Sequence, residues 1–220
     1  MRVFDGEARS GGRWLIVAAF FLLVAGLVIG LGVPGGTALE EETALGYTRI
    51  EEPISGNGPE VVEYFWYGCP HCNALQPHIS AWRIRLPEEV VFRLTPVALK
   101  PEWVDHARAF YAAETLGVRA ELHPLLFDAI HEEKRRLDDA PSLAGFAAET
   151  TGISAETFLS TMHSDAVDAR ISSDIDRIKR LGLKSTPTLV VNGRYRITPG
   201  SAGGYATMLE VTDRLLAGDE

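Results

Sequence analysis

With 220 residues, 46% of them hydrophobic and 23% charged, the chain is long enough to bury one sizeable core or two small ones. Its formal net charge of −9 gives a surface that repels nucleic acid and anionic headgroups, so a nucleic-acid partner is excluded. Only two cysteines occur, both within one C-x-x-C pair, which leaves none for a structural disulfide.

In chain order, the first element is the uncharged run Trp14 to Val33, long enough as a helix to span a bilayer at about 30 Å. Arg2, Arg9 and Arg13 precede it, whereas Glu40, Glu41 and Glu42 come after. The positive-inside rule therefore keeps residues 1–13 in the cytoplasm and exports the rest. A cleavable signal usually has a shorter apolar region, yet Gly36-Thr37-Ala38 offers the small residues a signal peptidase reads. An uncleaved signal anchor and a cleaved signal peptide both remain open for residues 14–33. The first 38 residues carry three arginines against Asp5 and Glu7, so the exported part holds about −10.

Residues 34–58 are rich in Gly, Pro and Glu and read as a linker, with one short strand expected at Gly46 to Ile50. Val61 to Tyr67 is a buried strand, Asn73 to Leu86 a helix interrupted by Pro77, and Val90 to Pro96 a second strand. From Glu102 to Leu183 apolar residues recur at three- and four-residue spacing, punctuated by Gly117, Pro141 and Gly152. Ser142 and Ser154 are the expected N-caps there, and Asp165 to Leu181 is a further amphipathic helix. Thr188 to Val191 and Tyr195 to Ile197 flank Asn192-Gly193, a hairpin signal, and Tyr205 to Leu216 closes the chain as a helix. The pattern is α/β: a small sheet split by a helical insertion.

The chemistry centres on Cys69-Pro70-His71-Cys72, between the first strand and the first helix. Two thiols at this spacing close a small disulfide ring that reopens by exchange. Helix amides and dipole stabilise a thiolate at Cys69, and His71 adds a positive charge or a donor. In an oxidising compartment a sole pair serves chemistry rather than stapling. The competing reading is half of a zinc site with His71 or His78, although the second cysteine pair such sites use is absent. His78, His106, His123 and His131 read as surface or packing residues, Trp66 and Tyr67 as core and rim aromatics, and Trp103 as packing between helices and sheet.

VVEYFWYGCPHC with a helix after it resembles the thioredoxin superfamily, and CPHC with this helical insert resembles its DsbA branch, over roughly residues 59–218. Pro77 matches the family's helix proline, Thr186-Pro187 its cis-proline loop, TPTLVVNGRY the strand and turn after that loop, and LHPLLFDAIHEEKRRL its helical domain. The resemblance implies a thioredoxin-like domain in two parts, 59–99 and 183–220, around an inserted helical domain, 100–182. It also implies Cys69 as attacking thiolate, Cys72 as buried partner, Pro70 and His71 within the redox motif, and Thr186 and Pro187 against substrate. Glu63 is a candidate proton relay for Cys72, or else a strand-end glutamate reaching solvent. Gly68 departs from the tryptophan of thioredoxins, which is expected to open the surface around Cys69.

By function, the resemblance implies a bacterial periplasmic dithiol oxidase that donates its Cys69–Cys72 disulfide to reduced exported proteins. A DsbB-type membrane reoxidase would be its partner, with contact to the inner membrane through residues 14–33 if they are uncleaved. No cofactor or metal is implied beyond the redox-active disulfide itself. The alternatives are a reductase or isomerase on the same fold, or a redox-inactive peptide-binding chaperone module.

Overall fold

A computed structural model describes residues 45–54, 56 and 58–219; the leader, the apolar run 14–33 and the first part of the linker lie outside them. The described strands are β1 (Thr48–Arg49), β2 (Glu60–Phe65), β3 (Val91–Pro96), β4 (Thr188–Val191) and β5 (Tyr195–Ile197). The helices are α1 (Pro70–Arg83), α2 (Pro101–Thr115), α3 (Arg119–His131), α4 (Ala140–Thr151), α5 (Ala155–Met162), α6 (Asp165–Arg180), α7 (Pro199–Ala202) and α8 (Tyr205–Ala217). Among the described residues no helix is long and apolar enough to cross a membrane.

One sheet runs β1-β5-β4-β2-β3. β2 and β3 are parallel, which requires a crossover, and α1 supplies it; the other pairings are antiparallel. Five consecutive residues of β2, Val61 to Phe65, are buried because both faces of this central strand are covered. Val61 packs with Leu75, Ile79 and Trp82 of α1 and with Met208 and Leu215 of α8. Val62 and Tyr64 point the other way, against Ile178 of α6 and the adjoining Leu181 and Leu183. A third cluster fills the helical block α2–α6 and reaches Phe65, Tyr67 and both cysteines, so the block packs directly on the motif.

The β4–β5 turn has positive φ at both Asn192 (52°) and Gly193 (64°), and the Arg194 N–H closes it on the Val191 carbonyl at 2.9 Å before Tyr195 pairs with Val191. Glycine is obligatory here for a second reason: a Cβ on Gly193 would lie 1.9 Å from the Ile54 carbonyl oxygen.

Sheet and helices lie where the sequence places them, with local differences. The first strand shortens to Thr48–Arg49, and β2 stops at Phe65, so Trp66 and Tyr67 form the descent to the motif. α1 starts three residues before the expected Asn73: proline at its first turn is preset for the helix, and Cys69 is the N-cap with extended φ −87° and ψ 116°. Pro77 sits inside that helix. Ser142 is not an N-cap. Asp139 takes that position, accepting from the Ser142 N–H, while the Ser142 hydroxyl returns the bond in a capping box. Ser154 does cap α5, accepting from the Thr157 N–H at 3.1 Å.

Candidate active site

Three elements meet at the motif: the end of β2, the start of α1, and the loop before β4. Capping α1 with Cys69 aims the helix's free N–H groups at its sulfur; the Cys69 carbonyl meanwhile accepts from Cys72 and Asn73 N–H at 3.0 and 3.1 Å. Both cysteines are free thiols, and their exposure differs: Cys69 retains 7% while Cys72 retains none. The peptide between Thr186 and Pro187 is cis, and the Thr186 carbonyl accepts from the Cys69 thiol at 3.4 Å. The two halves of the site, 117 residues apart in sequence, are therefore in contact.

Their acidities diverge. The Cys72 thiol donating to Cys69, a hydrogen bond from the Thr186 side chain, and the N–H groups of Cys72 and His71 hold the Cys69 thiol down to about 5, against the opposing cost of burial. Burial pushes the Cys72 thiol far up, and the neighbouring Cys69 adds to that. The pair is thus an acidic outer thiol and a very weakly acidic inner one.

Glu63 does not reach solvent. It shares a face of β2 with Val61 and Phe65, opposite Val62 and Tyr64, and is fully buried. Burial pushes its carboxyl up to about 8, moderated by the Arg83 charge and by Gln76, which donates to Oε1 at 3.4 Å; Oε2 has no hydrogen-bond partner. Gln76 also reaches the Cys72 carbonyl, at 3.4 Å, and so links Glu63 to the motif.

Gly68 does not open the surface, as its size alone suggests. A Cβ there would lie 2.3 to 2.7 Å from the Trp66 indole, which folds over the glycine and stacks on Trp103 with centroids 4.7 Å apart. The ring of Trp66, two residues earlier in the chain, fills the space beside Gly68. Trp103 packs where expected, between helical block and sheet.

Tyr67 is held twice by α3. Its hydroxyl pairs with Nδ1 of His123 at 2.9 Å, and its carbonyl with Nε2 of His131 at 2.7 Å. Burial, helped by the Arg119 and Arg83 charges, pushes His123 down to about 3, so it is neutral and accepts from the tyrosine. His106 bonds the Leu137 carbonyl at 2.6 Å. These three histidines are packing residues. The His71 ring, by contrast, is exposed and paired with the Tyr205 hydroxyl at 3.0 Å, and His78 stacks on the same tyrosine. His71 meets Cys69 through its backbone N–H. No group of three or more His, Cys, Asp or Glu side chains among the described residues is gathered to hold a metal, which leaves the zinc reading without a ligand set there.

Sequence reasoning missed Tyr205, Gln76, Arg83 and the α3 clamp. Gln76 lies four residues after Cys72 and Glu63 faces the same helix, a signal that was available; Tyr205 offered none. A cavity of about 810 Å³ lies away from the cysteines and is lined in part by Arg83, Arg119, Arg170 and Arg177 with Glu114 and Asp174. A small apolar hollow of about 90 Å³, walled by Val97, Leu99, Trp103 and Leu183, adjoins Thr186.

A thioredoxin fold that presents an acidic thiol at a helix N-terminus, with a buried second thiol and a cis-proline loop against it, defines a protein thiol:disulfide oxidoreductase. Residues 83–204 match the DSBA-like thioredoxin domain. The thiol:disulfide interchange protein DsbA of Pseudomonas syringae pv. tomato is 36% identical over 205 residues, 93% of this chain and 94% of that protein. DsbA of Azotobacter vinelandii is 35% identical over 93% and 96% of the two chains. The crystal structure of Pseudomonas aeruginosa DsbA superposes with a TM-score of 0.74 at 36% identity, covering 79% of this chain and 92% of that one. The chain belongs to the DsbA family.

Proposed function

We propose that this enzyme donates its Cys69–Cys72 disulfide to reduced exported proteins in the bacterial periplasm. A client thiolate attacks Cys69, the Cys69–Cys72 bond breaks, and Cys72 leaves with the electron pair. Glu63, half-protonated near pH 8 and tied to Cys72 through Gln76, is the group suited to give that thiolate its proton. The client's second thiolate then attacks the client sulfur of the mixed disulfide and expels Cys69. Two electrons and the client's disulfide have changed places, leaving the enzyme as a dithiol.

The observation that carries this direction is the raised acidity of the Cys69 thiol, its pKa held down to about 5. A low-pKa thiol is a good leaving group, and its stabilised thiolate favours the reduced enzyme. Pro187 has no N–H, so an extended client segment can lie along Thr186 without a competing donor. A DsbB-type membrane protein restores the disulfide, and no dissociable cofactor takes part. Residues 14–33 either anchor the enzyme to the inner membrane or are removed on export.

Equilibration of the protein with glutathione buffers tests the reading. A potential about −120 mV, the value known for strong disulfide donors of this family, is the expected result. A potential about −270 mV would move the protein to the reductases.

A further inference from the structure

His71 and His78 stand seven residues apart on α1, two turns along one face. Tyr205 lies over both, its ring stacked on His78 (centroids 5.7 Å apart, planes at 29°) and its hydroxyl on Nδ1 of His71 at 3.0 Å. Two glycines set it there: Gly203 at φ 80° ends α7, and Gly204 at φ 151° starts α8, so Tyr205 is the first residue of that helix. The group facing the His71 ring is thus Tyr205 from α8, with His78 behind the tyrosine, while Cys69 on the same turn is met by the His71 backbone N–H. Partial burial and the nearby Cys69 and Cys72 push the Tyr205 hydroxyl up, which keeps it protonated and able to donate to a ring nitrogen.

We propose that Tyr205 is a positioning residue that holds the His71 ring against α8 and so limits how far that ring stabilises the Cys69 thiolate. This rests on the reading that Cys69 is the exchanging thiol. While the tyrosine donates to Nδ1, the imidazole carries its proton on Nε2 and remains docked. Without that bond the ring is free to turn, and Nδ1 regains a proton site that can donate to the Cys69 sulfur. The hydroxyl therefore moderates the enzyme as an oxidant.

The test is a double-mutant cycle on the glutathione equilibrium constant, with Tyr205→Phe placed in the wild type and in His71→Ser. Phenylalanine keeps the stack on His78 and removes only the hydroxyl. The expected result is a three- to tenfold shift, roughly the net worth of one hydrogen bond, toward reduced enzyme in the wild type. In the His71→Ser background the same change leaves the constant within about twofold. An equal shift in both backgrounds would mean a general structural effect and overturn the proposal, as would no shift in either. A wild-type constant in the reductase range would refute the oxidase reading, yet the two Tyr205→Phe comparisons would still decide this one.

Discussion

Lowering the pH from 9 to 5 should destabilise the dithiol form relative to the disulfide form, and the size of the effect is set by one sulfur. Cys69 titrates at about 5 in the folded dithiol against 9.0 when unperturbed. An acid whose folded pKa is depressed contributes stability that is complete above the unfolded value and lost as pH falls through the folded one. At pH 7 two units separate the pH from the folded value, about 2.7 kcal/mol. Solvent reaches this sulfur, and screening leaves about half, or 1 to 1.5 kcal/mol. For a chain of this size that is about 2–6 °C in melting temperature, equivalent to about 20–30 mV of oxidising potential. The disulfide form has no such titration, while Glu63, His123 and the carboxylates are common to both and cancel in the difference. The assay is urea unfolding of both redox forms at half-unit steps from pH 4 to 9. A reduced-minus-oxidised difference that rises between pH 5 and 9 is expected; a flat one would mean that Cys69 is not held as a thiolate, and the argument for an oxidant would fall with it.

Two further substitutions probe the surroundings. Glu63, raised from 4.5 to about 8, costs the fold progressively more as pH climbs between those values, because the unfolded chain gives up the proton first. Glu63→Gln removes that dependence, so in the disulfide form the variant should gain on the wild type by about 3–5 kcal/mol from pH 4.5 to 8.5 by urea unfolding; parallel pH profiles would contradict a buried neutral carboxyl. Gly68→Ala puts a methyl into the Trp66 indole and must dislodge its stack on Trp103, at a cost of about 1–3 kcal/mol with altered tryptophan emission. Unchanged stability and emission would show that Trp66 steps aside freely.

Much of the fold and site was legible in the sequence because the informative residues are local. Val61 to Phe65 is a continuous apolar stretch apart from one acid, whereas apolar spacing places the helix start after Cys69 three residues late, because the proline that presets its first turn reads equally as part of the loop. Glu63 divided two readings because strand alternation states which way a side chain points, whereas only packing states whether that side is covered. Gly68 misled for a related reason: the space a glycine leaves belongs to whichever neighbour can fold into it, and Trp66 lies two residues back. Tyr205 was illegible because its contact with His71, 134 residues earlier, depends on where α8 begins relative to α1, which two glycines with positive φ decide.

The grip of α3 on Tyr67 bears on how such a protein can be remodelled. By sequence order the helical block interrupts a thioredoxin core, which invites treating it as an accessory that could be trimmed or exchanged. Yet the hydroxyl and the carbonyl of the residue two before Cys69 both end on histidines of that block. Excising it would strip the approach to the motif of its lateral supports and expose Phe65 and Cys72 from the side. The inserted helices are part of the frame that holds the redox pair, and a graft onto another thioredoxin core would have to carry Tyr67 with His123 and His131 as one unit.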